Sequence, residues 1–235
     1  MNSLPRIHDR IRLILTSLRE YLGTRGRGRQ KAVSDVGELR FFLDSRASHV
    51  SQIALYGYLK TRAGTRFPEL FESDSFLVAI NQAKWQVWLA CLSDIAVYAG
   101  GLIAARSSAE KAEIRGLMEA VVESILQVHG IPEDSGPDFE AGAQRARARL
   151  ALVDWTAVED GPGPFTESPE ALVTWAPVVD EFKELDGEIV RNSVRYRWVE
   201  VRRALRDILN ADAVMASARS AESGFARRAD GKEQP

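Results

Sequence analysis

The feature of this sequence that most restricts its fold is the apolar run from Trp85 to Ala105 (WQVWLACLSDIAVYAGGLIAA), whose strongly polar members are Gln86, Ser93 and Asp94. A helix that is apolar nearly all round must be enclosed by other elements or by lipid. The run is long enough to span a bilayer, but a central aspartate costs about 2.5 to 3.5 kcal/mol on insertion, which offsets what the aliphatic residues contribute. The run therefore predicts the central helix of a soluble bundle rather than a transmembrane span.

Apolar residues recur at three- and four-residue spacing along most of the remaining chain, and no segment shows the alternation typical of a strand. This spacing predicts helices over 5–22, 36–62, 76–105, 107–129, 138–153, from 168 onward and over 178–209. Beyond residue 210 the chain has little to bury, which predicts a disordered tail over 210–235. We therefore expect an all-α bundle of six to seven helices. It forms one domain over 1–209, with any sub-boundary at the Pro- and Gly-rich stretches 131–137 or 161–164.

Two helix starts have local signals. Ser107 and Glu110 stand three residues apart, as in a capping box, and Ser168 precedes Pro169, as an N-cap precedes a proline in the first turn. These signals predict helices that begin at about residues 107 and 168.

The search for catalytic chemistry gives few candidates. The single cysteine, Cys91, forms no internal disulfide, which favours a cytoplasmic location. The three histidines, His8, His49 and His129, never stand three or four residues apart, so the helical spacing of metal ligands is absent. The sequence contains no nucleophile elbow, phosphate loop or dinucleotide fingerprint. We therefore assign no catalytic residue, expect neither a cofactor nor a metal, and lean toward a protein that is not an enzyme.

Two charged residues fall on apolar helix faces. Arg46 lies within the apolar arc of the second predicted helix, and Asp94 lies within the central run. Because unpaired charges are strongly penalised in a core, we expect the two to form an ion pair. That pair either fixes helix packing or belongs to a polar pocket, and a sealed pair would indicate the structural role. The pocket would be bordered by residues on the same arcs: His49, Tyr56, Lys84, Cys91 and Tyr98.

Charge is unevenly distributed, although the totals are 31 basic and 33 acidic residues. Eight basic residues lie in 1–31 against two acidic, nine acidic residues lie in 159–188 against one lysine, and six arginines lie in 191–206 against one glutamate. These segments either neutralise one another or bind an acidic protein partner, a second copy or, as a peripheral contact, an anionic membrane surface. A pI of about 6.0 and the lack of a recognition module argue against nucleic acid. The candidate partner residues are Arg25, Arg27, Arg29, Arg191, Arg195, Arg202 and Arg206.

The segment RFFLDSRASHVSQIALYGYLKTRAGTRFPELF, from Arg40 to Phe71, continues into Ala83-Lys84-Trp85. It resembles an uncharacterised family of helical bacterial proteins, some of which bear an esterase label. The resemblance covers a minor part of the chain and contains no motif of established chemistry. It therefore implies a helical fold but no esterase residue.

Two function classes follow from these observations. The first, which we prefer, is a non-catalytic interaction or assembly protein whose arginine-rich terminal helices bind an acidic partner or surface. The second is a helical ligand-binding protein or small esterase-like hydrolase with its pocket around Arg46, His49 and Asp94. Burial separates the two classes, because a ligand requires a cavity connected to solvent.

Overall fold

A computed structural model describes the backbone of residues 32–230 and the side chains of residues 32–221. This part of the chain is all-α, as predicted, and contains no β-strand. The predicted helix over 5–22 and the candidates Arg25, Arg27 and Arg29 lie outside the described residues. The described residues form seven α-helices: α1 (Val36–Ala63), α2 (Asp74–Arg106), α3 (Lys111–His129), α4 (Phe139–Leu152), α5 (Glu167–Trp175), α6 (Asp180–Ile208) and α7 (Ala211–Asp230).

Helix α2 occupies the centre of the bundle and packs against α1, α3, α4, α5 and α7. By length and composition it could cross a membrane, but 89% of its most apolar window is buried inside the protein. This position is the one predicted for the apolar run. The buried apolar side chains of all seven helices form one cluster, and the loops 131–137 and 161–164 connect helices that share it.

Local side-chain capping explains the start of α1 but not the predicted start of the helix after α2. The Asp35 carboxylate accepts a hydrogen bond from the Glu38 backbone N–H at 2.8 Å, which caps α1. The predicted capping box from Ser107 to Glu110 is wrong. Because α2 continues through Arg106, the Ser107 hydroxyl donates instead to the Ile103 carbonyl at 2.8 Å. Helix α3 then begins one turn later, at Lys111.

The C-terminal segment differs from the prediction of disorder, which is wrong for residues 211–221. They belong to α7, in which Ala211, Val214 and Met215 are buried against α1, α2 and α3. Three small or medium apolar side chains on one face are enough to dock a helix onto a groove that other helices have already formed. The polar average composition of the tail conceals this short apolar face.

A backbone clip joins the first described residues to the segment between α6 and α7. The Val33 N–H donates to the Ile208 carbonyl at 2.8 Å, and the Asn210 N–H donates to the Val33 carbonyl at 2.9 Å. The clip places the start of α1 beside the junction of α6 and α7. Helices α1 and α6 therefore run antiparallel, with Arg62 near the end of α1 paired with Asp186 near the start of α6.

Candidate functional site

Asp94 lies in the middle of α2 with a side chain that is 0% exposed. One carboxylate oxygen accepts from Arg149 Nη1 at 2.6 Å and from the Glu167 N–H at 3.1 Å. The other accepts from the Ser168 N–H at 2.8 Å and from Ser168 Oγ at 2.6 Å. Because the first N–H groups of a helix lack intrahelical partners, Asp94 acts as a long-range N-cap for α5. It takes the capping role that the sequence predicts for Ser168.

Arg149, on α4, is the counter-ion of this carboxylate. Its guanidinium also donates to Ser93 Oγ at 3.2 Å and to the Pro164 carbonyl at 2.5 Å. The side chain is 18% exposed and lies 3.4 Å from a Glu167 carboxylate oxygen. Arg149 therefore ties together α2, α4 and the loop that leads into α5.

Ser168 completes the network but has no access to a substrate. It is 0% exposed, and its hydroxyl accepts a hydrogen bond from Trp198 Nε1 on α6 at 3.0 Å. Cys91 lies beside it, and burial, reinforced by the negative charge of Asp94, raises the pKa of the thiol well above its usual value. The thiol is therefore protonated at neutral pH and is a poor nucleophile. The arrangement is a sealed structural network that joins four helices.

The predicted ion pair between Arg46 and Asp94 is wrong, because Asp94 is paired with Arg149. Arg46 lies on α1, half-buried, with its guanidinium carbon 5.2 Å from the centre of the Phe42 ring. The sequence does place both charges on inward faces, but a helical wheel does not tell which neighbouring helix supplies the partner. The sequence does not distinguish Arg149 from Arg145, which likewise precedes a core residue of α4.

The predicted pocket residues do not converge on one site. His49 lies near Arg46 and Arg197; burial, and then these two positive charges, lower the pKa of its imidazole. Lys84 Nζ is 2.9 Å from an Asp134 carboxylate oxygen, and the Tyr98 hydroxyl donates to Asp160 at 2.8 Å.

Tyr56 lies close enough to Asp134 for that charge to add to the effect of burial, and both raise the pKa of its phenol. Arg46 and His49 therefore lie together near Arg197, and the other candidates lie at three separate carboxylates, Asp94, Asp134 and Asp160.

The arginines predicted to bind a partner are largely engaged within the chain. Arg191 Nε is 2.7 Å from Glu170, and Arg206 Nη1 is 3.2 Å from Asp160. Arg202 lies over the Phe165 ring at 6.0 Å. The acidic segment 159–188 thus neutralises part of the arginine-rich half of α6, one of the two outcomes expected from the charge distribution. Arg195, 39% exposed, makes a longer 3.7 Å contact with Glu188, which is 74% exposed.

The outer face of α6 carries a line of large exposed apolar side chains that the sequence analysis missed. Leu185, Ile189 and Tyr196 are 71%, 72% and 76% exposed, and Phe182 is 43% exposed. With Asn192 and Val199 they occupy every a and d position of a heptad repeat, at spacings of three and four residues. The signal was present, but the buried face of α6 and its arginines obscured it. We call these six residues the α6 stripe: Phe182, Leu185, Ile189, Asn192, Tyr196 and, half-buried at its end, Val199.

Two surface clefts offer little reactive chemistry. A groove of about 590 Å³ between α3 and α4 has Arg147 in its wall, which is paired with Glu123 at 2.9 Å. A cleft of about 460 Å³ among α2, α4 and α5 includes Gln86, Arg145 and Trp175. Neither cleft is lined by a serine, cysteine or histidine, so neither presents a nucleophile with an imidazole base.

No protein-family model, curated protein or solved structure matches this chain. Within the described residues, no group of three or more His, Cys, Asp or Glu side chains is arranged to hold a metal ion. The resemblance of the segment 40–71 to a helical bacterial family stays a prediction.

Proposed function

We propose that the protein is a non-catalytic interaction or assembly protein, and that the α6 stripe is the surface with which it binds another protein. The observation that carries this proposal is the row of exposed apolar side chains on α6. Soluble monomers rarely expose large contiguous apolar patches, and such patches are typical of protein contacts. The regular heptad spacing further favours a helix as the partner, because a and d side chains pack into the holes of a facing helix.

The arginines have a secondary role in this proposal. Arg191 and Arg206 are already paired with acidic residues of the same chain. The charges at the edges of the α6 stripe, Glu188 and Arg195, make a longer 3.7 Å contact with each other, and Glu188 is 74% exposed, so both remain accessible to a partner. Exposed charges of this kind influence orientation and association rate more than affinity. Apolar contact is therefore the main source of binding energy.

The alternative, a ligand-binding or hydrolytic pocket around Arg46, His49 and Asp94, loses its central residue. Asp94 is sealed, and both of its oxygens are occupied by donors from α4 and α5. A cytoplasmic location stays a prediction that rests on the single cysteine, Cys91, which is buried as a free thiol.

Photo-crosslinking in cells tests the proposal. A benzophenone amino acid replaces Ile189 in the full chain, and the matched control carries it at Val78, which is 58% exposed on α2. We expect protein adducts from position 189 and few from position 78. The adducts should persist at high salt, because an apolar contact is not screened as an arginine contact is. Equal labelling at the two positions would overturn the proposal.

A further inference from the structure

Resting on that proposed function, we infer that the partner of the α6 stripe is the α6 stripe of a second copy of this chain, packed antiparallel about a two-fold axis. Successive residues of the α6 stripe are three, four, three, four and three positions apart. This series is the same whether the helix is followed forwards or backwards. Reversal of one copy therefore brings an a position opposite a d position in every layer. The layers pair Phe182 with the partner's Val199, Leu185 with the partner's Tyr196, and Ile189 with the partner's Asn192.

The charge along α6 distinguishes the antiparallel arrangement from the parallel one. The first third of the helix is acidic and the region 191–206 carries six arginines. In the antiparallel pair, Glu188 flanks the stripe opposite the partner's Arg195, and two-fold symmetry creates this contact twice. Glu181 is likewise opposite the partner's Arg202. A parallel pair would bring acidic halves together, and like charges at such positions are destabilising.

Asn192 is the polar member of the α6 stripe. It is exposed at a seam position otherwise occupied by apolar side chains, and its amide is hydrogen-bonded within the chain. The amide oxygen accepts from Arg195 Nη1 and the amide nitrogen donates to Glu188, both at 3.0 Å. In the antiparallel pair the two layers of Ile189 and Asn192 flank the two-fold axis, and each amide lies opposite an aliphatic side chain. Because a polar residue in a seam lowers stability, we expect a reversible dimer.

The rival occupant is the N-terminal segment of the same chain. Its apolar residues also follow a three–four spacing over three heptads: Leu4, Ile7, Ile11, Ile14, Leu18 and Tyr21. That segment is basic, with eight basic and two acidic residues in 1–31. It offers two acidic residues to the arginine-rich half of α6, whereas a second copy places its own acidic first third of α6 beside that half. Charge complementarity thus favours the second copy.

Sedimentation equilibrium of the full chain tests the inference. We expect a reversible dimer for the native sequence and a monomer for Ile189→Glu, because a carboxylate in the centre of the seam must be desolvated. The matched control Val78→Glu places the same charge at another exposed apolar position, 58% exposed, and should dimerise normally. Circular dichroism verifies that both variants keep the helix content of the native chain.

A charge exchange tests the orientation. Each of two single variants, Glu188→Arg and Arg195→Glu, places like charges opposite one another in its own homodimer. We expect each variant to raise the dimer Kd about tenfold. An equimolar mixture of the two variants restores both opposite-charge contacts and should recover the native Kd as a heterodimer. Intrachain effects cannot explain recovery on mixing.

Several results would overturn the inference: a native chain that stays monomeric, a dimer that survives Ile189→Glu, or a mixture that fails to recover. A disulfide within one chain between Ile189→Cys and Ile11→Cys would overturn it in favour of the N-terminal segment. If the chain is a monomer and position 189 still crosslinks to a different protein, the inference of a second copy as partner is wrong, but the proposed function stands. Labelling at position 189 no greater than at 78 overturns the proposed function itself.

Discussion

Asp94 on α2 and Arg149 on α4 form a 2.6 Å ion pair whose carboxylate is completely buried. The same carboxylate accepts the first N–H groups of α5, so a single side chain connects three helices. Because a charge in a core requires both a counter-ion and hydrogen-bond donors, this network specifies how α5 docks on α2. The charge that looks anomalous in the apolar run is therefore a packing determinant.

Removal of the counter-ion should be strongly destabilising. We expect Arg149→Met to lower the free energy of unfolding by about 3 to 5 kcal/mol, because it leaves a buried carboxylate without its cation. Arg115→Met, on the exposed face of α3, should cost less than about 0.5 kcal/mol. Urea unfolding followed by circular dichroism measures both values. Equal losses would show that Arg149 is not the essential partner of Asp94.

Two helical glycines should respond in opposite directions to alanine. A Cβ added at Gly100 would lie 2.2 Å from a Trp155 ring carbon, whereas one added at Gly116 meets no described atom within 4 Å. We expect Gly100→Ala to destabilise by about 1 to 3 kcal/mol despite its better helix propensity. Gly116→Ala should stabilise by about 0.5 to 1 kcal/mol. Thermal denaturation of the two variants compares them, and a stabilising Gly100→Ala would contradict the close packing of Trp155 on α2.

Substitution of Met215, a buried residue of α7, tests whether this helix is ordered. Met215 is 2% exposed, so Met215→Ala should cost about 2 to 4 kcal/mol in unfolding free energy. Ser220→Ala, on the exposed face of the same helix, should change stability by less than about 0.5 kcal/mol. If residues 211–221 were disordered, both substitutions would be neutral in a chemical denaturation experiment.

The imidazole of His49 should titrate below the ordinary histidine pKa of 6.5, because burial and the charges of Arg46 and Arg197 disfavour its protonation. A lowered pKa in the folded state means that His49 contributes stability above pH 6.5, and that this contribution is lost as the pH falls through the folded-state pKa. NMR titration of the imidazole carbon-bound protons measures the pKa, with His49→Gln to assign the resonance. A midpoint above 6.5 would contradict the positive surroundings seen here.

Helix positions proved to be largely local properties. The spacing predicts helices over 36–62 and 178–209, and the structure has Val36–Ala63 and Asp180–Ile208. The predictions that were wrong concern which helix a residue belongs to or contacts. Ser107 was assigned to the wrong helix, and the apolar face of α7 was hidden in a polar tail. The inward position of Asp94 was predicted correctly, but its partner was not.

The sequence by itself determined that this chain is an all-α bundle built around one apolar helix, because apolar periodicity is a property of a few neighbouring residues. Only the tertiary structure decided that Asp94 meets Arg149, that α7 is docked, and that the α6 stripe is left exposed. Which residues meet depends on how each helix is rotated and offset against its neighbours. Those angles come from the interlocking of side chains from several helices at once, and no single helix contains that information.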